Sequence, residues 1–272
     1  MTNAPEQNFL FGNPDVVDDD VAATELRLLA LNIESPSAER VRRQLDWIYE
    51  AGTNVLVLTE VRLGNAADLL VRELTSSGFA VARPHTGPDN RYMTLIATKG
   101  YQTRRVPLNG DSPRFHAVRL TSHFGNLDVI GLYALTNGMS DASSAARKAF
   151  QQQVLDALSA RLAAEPAIPV LVTGDFNVVE PGHGPADSRA LFEDHDFDFY
   201  LDFGRRLGLV DSFRQTHPAA TDLTWYGPKG GQRLDHVFVS PEVHRRVTSV
   251  GFNHAVRTSR LSDHSALTLV AT

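Results

Sequence analysis

The residues PVLVTGDFN (169–177) pass from an apolar run into Gly-Asp-Phe-Asn, and the reading of the whole chain turns on that change. Pro169 to Thr173 has the length and the aliphatic content of a buried strand. It ends in Gly174-Asp175-Phe176-Asn177, which sets a carboxylate and an amide at the end of a rigid element, where a scaffold presents chemistry. Gly-Asp-x-Asn is also good turn chemistry, so taken alone the segment supports a structural reading as well.

Working outward, the same arrangement recurs. The apolar run Leu26–Leu31 leads into Asn32-Ile33-Glu34, and Val55–Thr59 leads into Glu60. Leu127–Leu132 ends in Tyr133, with Asn137 close behind, and the last strand, Ala266–Val270, is preceded by Ser262-Asp263-His264. Asp235 falls inside a predicted strand Leu234–Val239, where a charge is costly unless paired or ligating. Further strands are predicted at Phe79–Arg83, Met93–Thr98, Phe115–Thr121 and Thr248–Phe252. Val41, Leu45 and Ile48 share one helical face that stops at Gly52. The longest helix opens at Asp141, carries Phe150, Val154, Leu158 and Leu162 four apart, and ends before Pro166. A polar, aromatic helical region runs up to Leu207. Many strands with two or three long helices is an α/β pattern, without the regular alternation of a doubly wound Rossmann sheet or a (β/α)₈ barrel.

Composition narrows the classes. The chain has 272 residues, 42% hydrophobic and 21% charged, enough apolar material for one large core, with no repeat and no internal linker. No apolar stretch is long enough to span a membrane. The absence of cysteine excludes disulfides, thiolate metal sites and a cysteine nucleophile. Net charge is −6, and Glu6, Asp15, Asp18, Asp19 and Asp20 lie in the first twenty residues, so the rest is nearly neutral and any surface for nucleic acid must be local. Residues 1–22 read as an acidic, flexible tail without a secretory signal, and 23–272 as a single domain. A cytoplasmic monomer is the expectation.

The strand ends together supply carboxylates, amides, a phenol and an imidazole. Such an oxygen-rich, sulfur-free set suits Mg²⁺ or Mn²⁺ better than zinc. With an Asp and a His nearby to handle protons, it suits hydrolysis at phosphorus.

Read in order, LNIE (31–34), LTEVR (58–62), GLYALTNG (131–138), TGDFNVV (173–179), RLDHVFVS (233–240) and LSDHSAL (261–267) resemble the endonuclease/exonuclease/phosphatase superfamily. The resemblance implies a four-layer α/β sandwich, two packed mixed sheets flanked by helices, and a divalent-metal-dependent phosphoester hydrolase. It implies Glu60 as the principal ligand of Mg²⁺ (or Mn²⁺), with Glu34 and Asp263 as further ligands. Asp175 resembles the residue that prepares the attacking water, Asn177 the one that holds that water or a phosphate oxygen, and Asn32 the one that orients a phosphate or a ligand. His264 resembles the imidazole on the scissile phosphate, Asp235 the carboxylate that fixes its tautomer, and Tyr133 a donor to phosphate. Arg62, Asn137, Trp225 and Lys229 are the implied substrate contacts.

GLVDSFRQTHP (208–218) and LTWYG (223–227) are most similar to the exodeoxyribonuclease III and apurinic endonuclease branch, which implies DNA as substrate. Three features depart from it: Ser35-Pro36-Ser37 replaces a Gly-Leu-Arg run, Arg62 replaces a Lys, and the loop Gly227–Gln232 is short. A small phosphorylated molecule is therefore the alternative substrate, and a silent binding module on the same fold the third reading. Plainer readings exist for single residues: a strand-edge Glu60, an Asx cap at Asp263, a core imidazole at His264, a packing Tyr133. Trp225 and Tyr226 read equally as core or as a wall on which a base or sugar stacks. The other histidines read as structural or surface groups, with His183 placed where it could touch substrate.

Overall fold

The computed structural model describes residues 23–87, 90–110, 112–122, 125–136, 140–182, 191–228 and 230–272. Asn137, Lys229, His183 and the acidic leader lie outside the described residues. In the first half of the chain come β1 (Leu26–Asn32), α1 (Ala38–Glu50), β2 (Val55–Arg62), α2 (Asn65–Ser76), β3 (Ala80–Ala82), β4 (Tyr92–Thr98), β5 (Gln102–Val106), β6 (Phe115–Ser122) and β7 (Gly125–Tyr133). The second half gives α3 (Asp141–Ala164), β8 (Val170–Asp175), α4 (Asp194–Arg205), β9 (Val210–Asp211), β10 (Trp225–Gly227), β11 (Gly230–Gln232), β12 (Asp235–Val239), β13 (Val247–Asn253) and β14 (Ala266–Ala271), with three single-turn helices between.

Two six-stranded sheets result, ordered β13-β14-β1-β2-β4-β3 and β5-β6-β7-β8-β12-β9, with β10-β11 as a separate ribbon. Alternation along each strand builds three apolar layers, because successive side chains leave opposite faces. Leu28, Ala30, Val55 and Val57 meet Val118, Val129, Leu171 and Val237 between the sheets. Leu29, Leu31, Leu56 and Leu58 face outward onto α1 and α2, through Val41, Leu45, Ile48, Leu70 and Leu74. Ile130, Leu132, Val170 and Val172 face outward onto α3 and α4, through Val154, Leu158, Phe199 and Phe203. The expected four-layer sandwich, helices outside two packed mixed sheets, is the observed fold.

Helix α2, strand β5, the β10-β11 ribbon and the start of β12 differ from the sequence reading. Helix α2 was not expected, although Ala67, Leu70 and Leu74 recur on one buried face. Strand β5 and the β10-β11 ribbon also went unread, because QTRRV and WYG carry little apolar alternation. Asp235 opens β12 rather than lying within it, which puts its carboxylate at the strand end like the others. Among the described residues no helix is long and apolar enough to cross a membrane.

One buried histidine gives the fold a pH dependence. His116 lies in β6 and its Nε2–H donates to the Thr94 carbonyl at 3.0 Å. Burial pushes its pKa down to about 4, with the Thr94 bond opposing and Arg105 adding to the fall. The unfolded chain takes up this proton near 6.5, the ordinary value for histidine, while the folded one does not. Stability is therefore lost as pH falls from that value towards 4. Urea unfolding at pH 7 and pH 4.5 should show His116→Gln, which keeps a donor, losing about 2 kcal/mol less on acidification than the parent.

Candidate active site

Strands β1 and β2 run parallel, as do β7 and β8, while β12 and β14 run antiparallel to β8 and β1. The ends of four strands and the starts of two therefore share one end of the sandwich. Register fixes the first row: Tyr133, Asp175 and Asp235 are paired neighbours across β7, β8 and β12. Asn32 closes β1 opposite Thr59 of β2.

Glu60 reaches this end through a break in alternation. The β2–β4 register shifts between Leu58 and Val61, so Val61 joins the outer apolar layer and Glu60 turns towards the site. Glu60 has a φ of 55°, and Glu34, Ser35 and Asn177 are also left-handed, at 54°, 45° and 51°. Non-glycine residues seldom adopt this region, and their gathering at one end of the sandwich marks a functional site. Gly174, at φ 135°, precedes Asp175 where a Cβ would lie 2.2 Å from the Leu132 carbonyl oxygen, which accounts for the glycine of GDFN.

The side chains form one network. Asn32 Nδ2 donates to Asp175 Oδ2 at 2.9 Å and to Glu60 Oε2 at 3.2 Å, joining the two sheets. Asn32 Oδ1 accepts from the Glu34 amide, and Ser35 Oγ donates to Glu60 Oε1 at 3.0 Å. Asp175 Oδ1 accepts from the Asn177 amide, and Asn177 Nδ2 donates to Ala134 O at 3.0 Å and Asp175 Oδ2 at 3.3 Å. His264 Nδ1–H donates to Asp235 Oδ2 at 2.8 Å, and its Nε2 lies 4.0 Å from Asp175 Oδ2.

Burial is the largest influence on Asp175 and raises its carboxyl above the usual range; His264 works against this and Asp235 adds to it. For His264, burial disfavours the charged ring, yet the charge and hydrogen bond of Asp235, with Asp175 and Asp263 behind them, hold the imidazolium well above its ordinary range. Burial, with Asp175 and Glu60, raises the Tyr133 phenol, which thus keeps its proton at neutral pH.

Glu34, Glu60 and Asp263 supply oxygen donors beside Asn32. Asp263 Oδ2 accepts from the Trp225 indole at 2.9 Å, while its buried Oδ1 has no hydrogen-bond partner. Burial raises the Glu34 carboxyl, as do Asp263 and Glu60, against Arg40 and His264. A crowd of like charges with an orphaned carboxylate oxygen fits a hard cation. Among the described residues no three His, Asp or Glu side chains form a ready-made cage. Mg²⁺ is commonly held by one or two carboxylates and keeps several waters, so the set still fits it. Arg40 Nη1 donates to Glu34 Oε2 at 2.8 Å and Nη2 to the Glu34 carbonyl, which turns this carboxylate towards α1.

Two arginines support the site from behind, of which Arg147 is outside the sequence reading. Arg147 of α3, 2% exposed, donates to the Asn177 carbonyl at 2.6 Å and pairs with Asp196 of α4 at 2.7 Å. Arg114 lies over the Tyr133 ring, 4.1 Å from its centroid, and over Tyr92 at 5.5 Å. The apolar face of α3 was legible, whereas the ends of Arg147 and Asp196 meet only when the helices pack. Arg62 is exposed at the end of β2 opposite Tyr92. Trp225, expected against substrate, lies at this end of the sandwich and directs its indole N–H at Asp263.

The left-handed backbone at Glu60 predicts an inverted substitution series. Glycine normally weakens a strand relative to alanine, but at this φ the missing Cβ removes the clash. Glu60→Gly should be more stable than Glu60→Ala by about 1 kcal/mol in urea unfolding. The ordinary order, with alanine more stable, would contradict a left-handed Glu60.

Comparison with known proteins gives a consistent picture. The model of the Endonuclease/Exonuclease/phosphatase family matches residues 29–264. A search of curated proteins finds no match. Among solved structures, an AP endonuclease from Archaeoglobus fulgidus is similar at a TM-score of 0.75 and 19% identity, over 90% of this chain and 99% of that one. A 3' phosphatase from Neisseria bound to a product DNA hairpin is similar at 0.73 and 18%, over 90% and 98%. The AP endonuclease LMAP from Leishmania major is similar at 0.73 and 18%, over 97% and 92%. At these identities the structural likeness establishes the fold. The family match runs from within β1 to His264 and takes in the site residues from Asn32 to His264, and the chain belongs to the endonuclease/exonuclease/phosphatase family, whose enzymes hydrolyse phosphoester bonds.

Proposed function

We propose that this protein is a divalent-metal-dependent DNA nuclease in which water, prepared by Asp175, attacks a phosphodiester in line. The observation that carries the reading is the buried line Asp235–His264–Asp175, bound through Asn32 to Glu60. A carboxylate raised towards neutrality is suited to accept a proton from water. Asn32 and Asn177 hold its Oδ2 in one orientation, and the Asn177 amide holds Oδ1. Asp235 fixes His264 with Nδ1 protonated, so that Nε2 faces the phosphate as a donor to the charge that develops there. Tyr133, protonated and braced by Arg114, offers a second donor. Glu60, with Asn32, Asp263 and Glu34, would hold Mg²⁺ or Mn²⁺, which supplies charge to polarise a phosphoryl oxygen.

DNA is favoured by the flanks of the site. Arg62, Arg91 and Arg114 gather around Tyr92 and Tyr133 on the β4 side, and none has a carboxylate partner among the described residues. The similar structures include AP endonucleases and a 3' phosphatase solved with a DNA hairpin, which supports the same substrate. The exodeoxyribonuclease III and apurinic endonuclease branch is the part of the family that this combination fits best. A small phosphoester is the second reading, favoured by the nearly neutral charge outside the leader.

Purified protein offered abasic duplex, nicked duplex, single strands and small phosphoesters should cleave DNA with Mg²⁺ or Mn²⁺ and stop in chelator. Glu60→Gln should lower turnover by orders of magnitude and weaken Mn²⁺ binding in a calorimetric titration. Full turnover in chelator would overturn the metal reading, and cleavage restricted to small phosphoesters the DNA reading. A second expectation concerns the pair. Asp235→Asn and His264→Ala together should cost little more than the worse single change, since groups acting as a unit are non-additive. Losses that multiply would show the two acting separately.

A further inference from the structure

Helix α1 carries an unexpected residue in its first turn. Ser37 caps the helix, its Oγ accepting from the Arg40 amide at 3.3 Å, which makes Arg40 the third helical residue. The N-terminal end of a helix bears partial positive charge and favours acids, and a Glu or Gln at the third position would complete the cap. Arginine is what local rules disfavour there, so its place is set by something outside the helix.

The turn after β1 supplies that reason. Arg40 Nη1 donates to Glu34 Oε2 at 2.8 Å and Nη2 to the Glu34 carbonyl, so one planar fork holds the side chain and the backbone of the same residue. One helical turn further along the same face, the buried Gln44 donates to the Ile33 carbonyl at 3.0 Å and to the Leu261 carbonyl at 2.7 Å. Glu34 and Ser35 are consecutive left-handed residues, at 54° and 45°, and this face of α1 fastens their strained turn from outside. An ordinary surface ion pair between two long side chains is loose and contributes little. This one is gripped at two points, and it persists although Arg40 Nε is buried without a hydrogen-bond partner, a cost that a group placed only for stability would avoid. Burial aside, the groups that act on the Glu34 carboxyl are Asp263, Arg40, Glu60 and His264, so the guanidinium stands in the field of the whole oxygen-donor set.

We infer that Arg40 is a positioning residue that weakens cation binding at this site: it holds Glu34 in an ion pair and so leaves that carboxylate a poor ligand. This rests on the metal reading above and adds to it what sets the strength of the hold. Glu34, Glu60 and Asp263 together carry three negative charges, and Arg40 cancels one of them. The remaining two match the charge of a single Mg²⁺. Affinity for a hard cation follows the number of charged oxygen ligands, and a fixed guanidinium beside the set repels the ion as well as occupying a ligand. Glu60, which no arginine or lysine holds among the printed contacts of its carboxylate, keeps its charge for the ion; its oxygens accept from Asn32 and Ser35.

Calorimetric titration of Mn²⁺ into the substrate-free protein, with free Mn²⁺ followed by electron paramagnetic resonance, reads this without turnover. Arg40→Gln keeps a donor, removes the charge and suits the third position of the helix, and circular dichroism with urea unfolding checks that α1 is retained. It should bind Mn²⁺ roughly tenfold more tightly than the parent. Glu34→Gln in the parent should weaken binding by less than about threefold, far less than Glu60→Gln, whereas in the Arg40→Gln background it should abolish the gain. Unchanged or weaker binding by a folded Arg40→Gln protein would overturn the role of Arg40 alone. So would a loss from Glu34→Gln as large as that from Glu60→Gln, a comparison that does not depend on how the Arg40 variant folds. A parent protein that binds no Mn²⁺ would overturn the metal reading and this inference with it.

Discussion

The amide of Asn32 donates to carboxylates of both sheets, to Glu60 of its own and to Asp175 of the other. That link constrains most of what surrounds it. An amide nitrogen with two hydrogens can bridge two acceptors only if they stand close together, and two carboxylates stand that close only when the sheets hold them there. The apolar layer between the sheets fixes their separation, and the parallel pairs β1-β2 and β7-β8 bring the strand ends to the same level. The packing of aliphatic side chains thereby sets the geometry of a polar site at its rim.

The site is held under electrostatic and conformational strain. Asp175 and Asp235 lie beside each other in register, Glu34, Glu60 and Asp263 gather nearby, and the first two are buried. His264 supplies a compensating cation within the protein, and the unsatisfied Asp263 oxygen marks where a second positive charge is wanted. Four left-handed residues add backbone strain, which surrounding structure must over-determine if it is to persist. The hold on Asn177 is explicit: Arg147 grips its carbonyl, and Asp196 grips Arg147 while capping α4. A helix pair on the outer face of the sheet is thus tied directly to the turn that carries Asp175 and Asn177.

Much of this architecture could be read from local pattern. Strand β8 followed by GDFN, the Asp141 helix and the Gly52 stop all correspond to elements within a few residues, because apolar period and terminal signals are local properties. Helix α2 carried a readable stripe at Ala67, Leu70 and Leu74. Strand β5 did not, since QTRRV has one apolar residue at its inner end and pairs only because β6 offers an edge. The ribbon WYGPKGGQ is opaque for a similar reason. Its Gly231 is there for the Tyr226 ring that lies over it across the hairpin, a relation that linear spacing does not record.

The sequence by itself determined the inventory and the order: which strands end in acids, amides, phenol and imidazole, and that those ends recur in the pattern of a phosphoesterase family. Strand alternation and turn chemistry act over a few residues, so they are written in the local string. Tertiary structure alone decided which groups meet and in what state. It joined Asn32 to Asp175 across 143 positions, turned Glu34 onto Arg40, sent Trp225 to Asp263 and left Tyr226 facing water. It also set the charge preferences of Asp175 and His264, because desolvation and the nearness of another charge depend on what the packed sheets bring around a group, and a chain position carries neither.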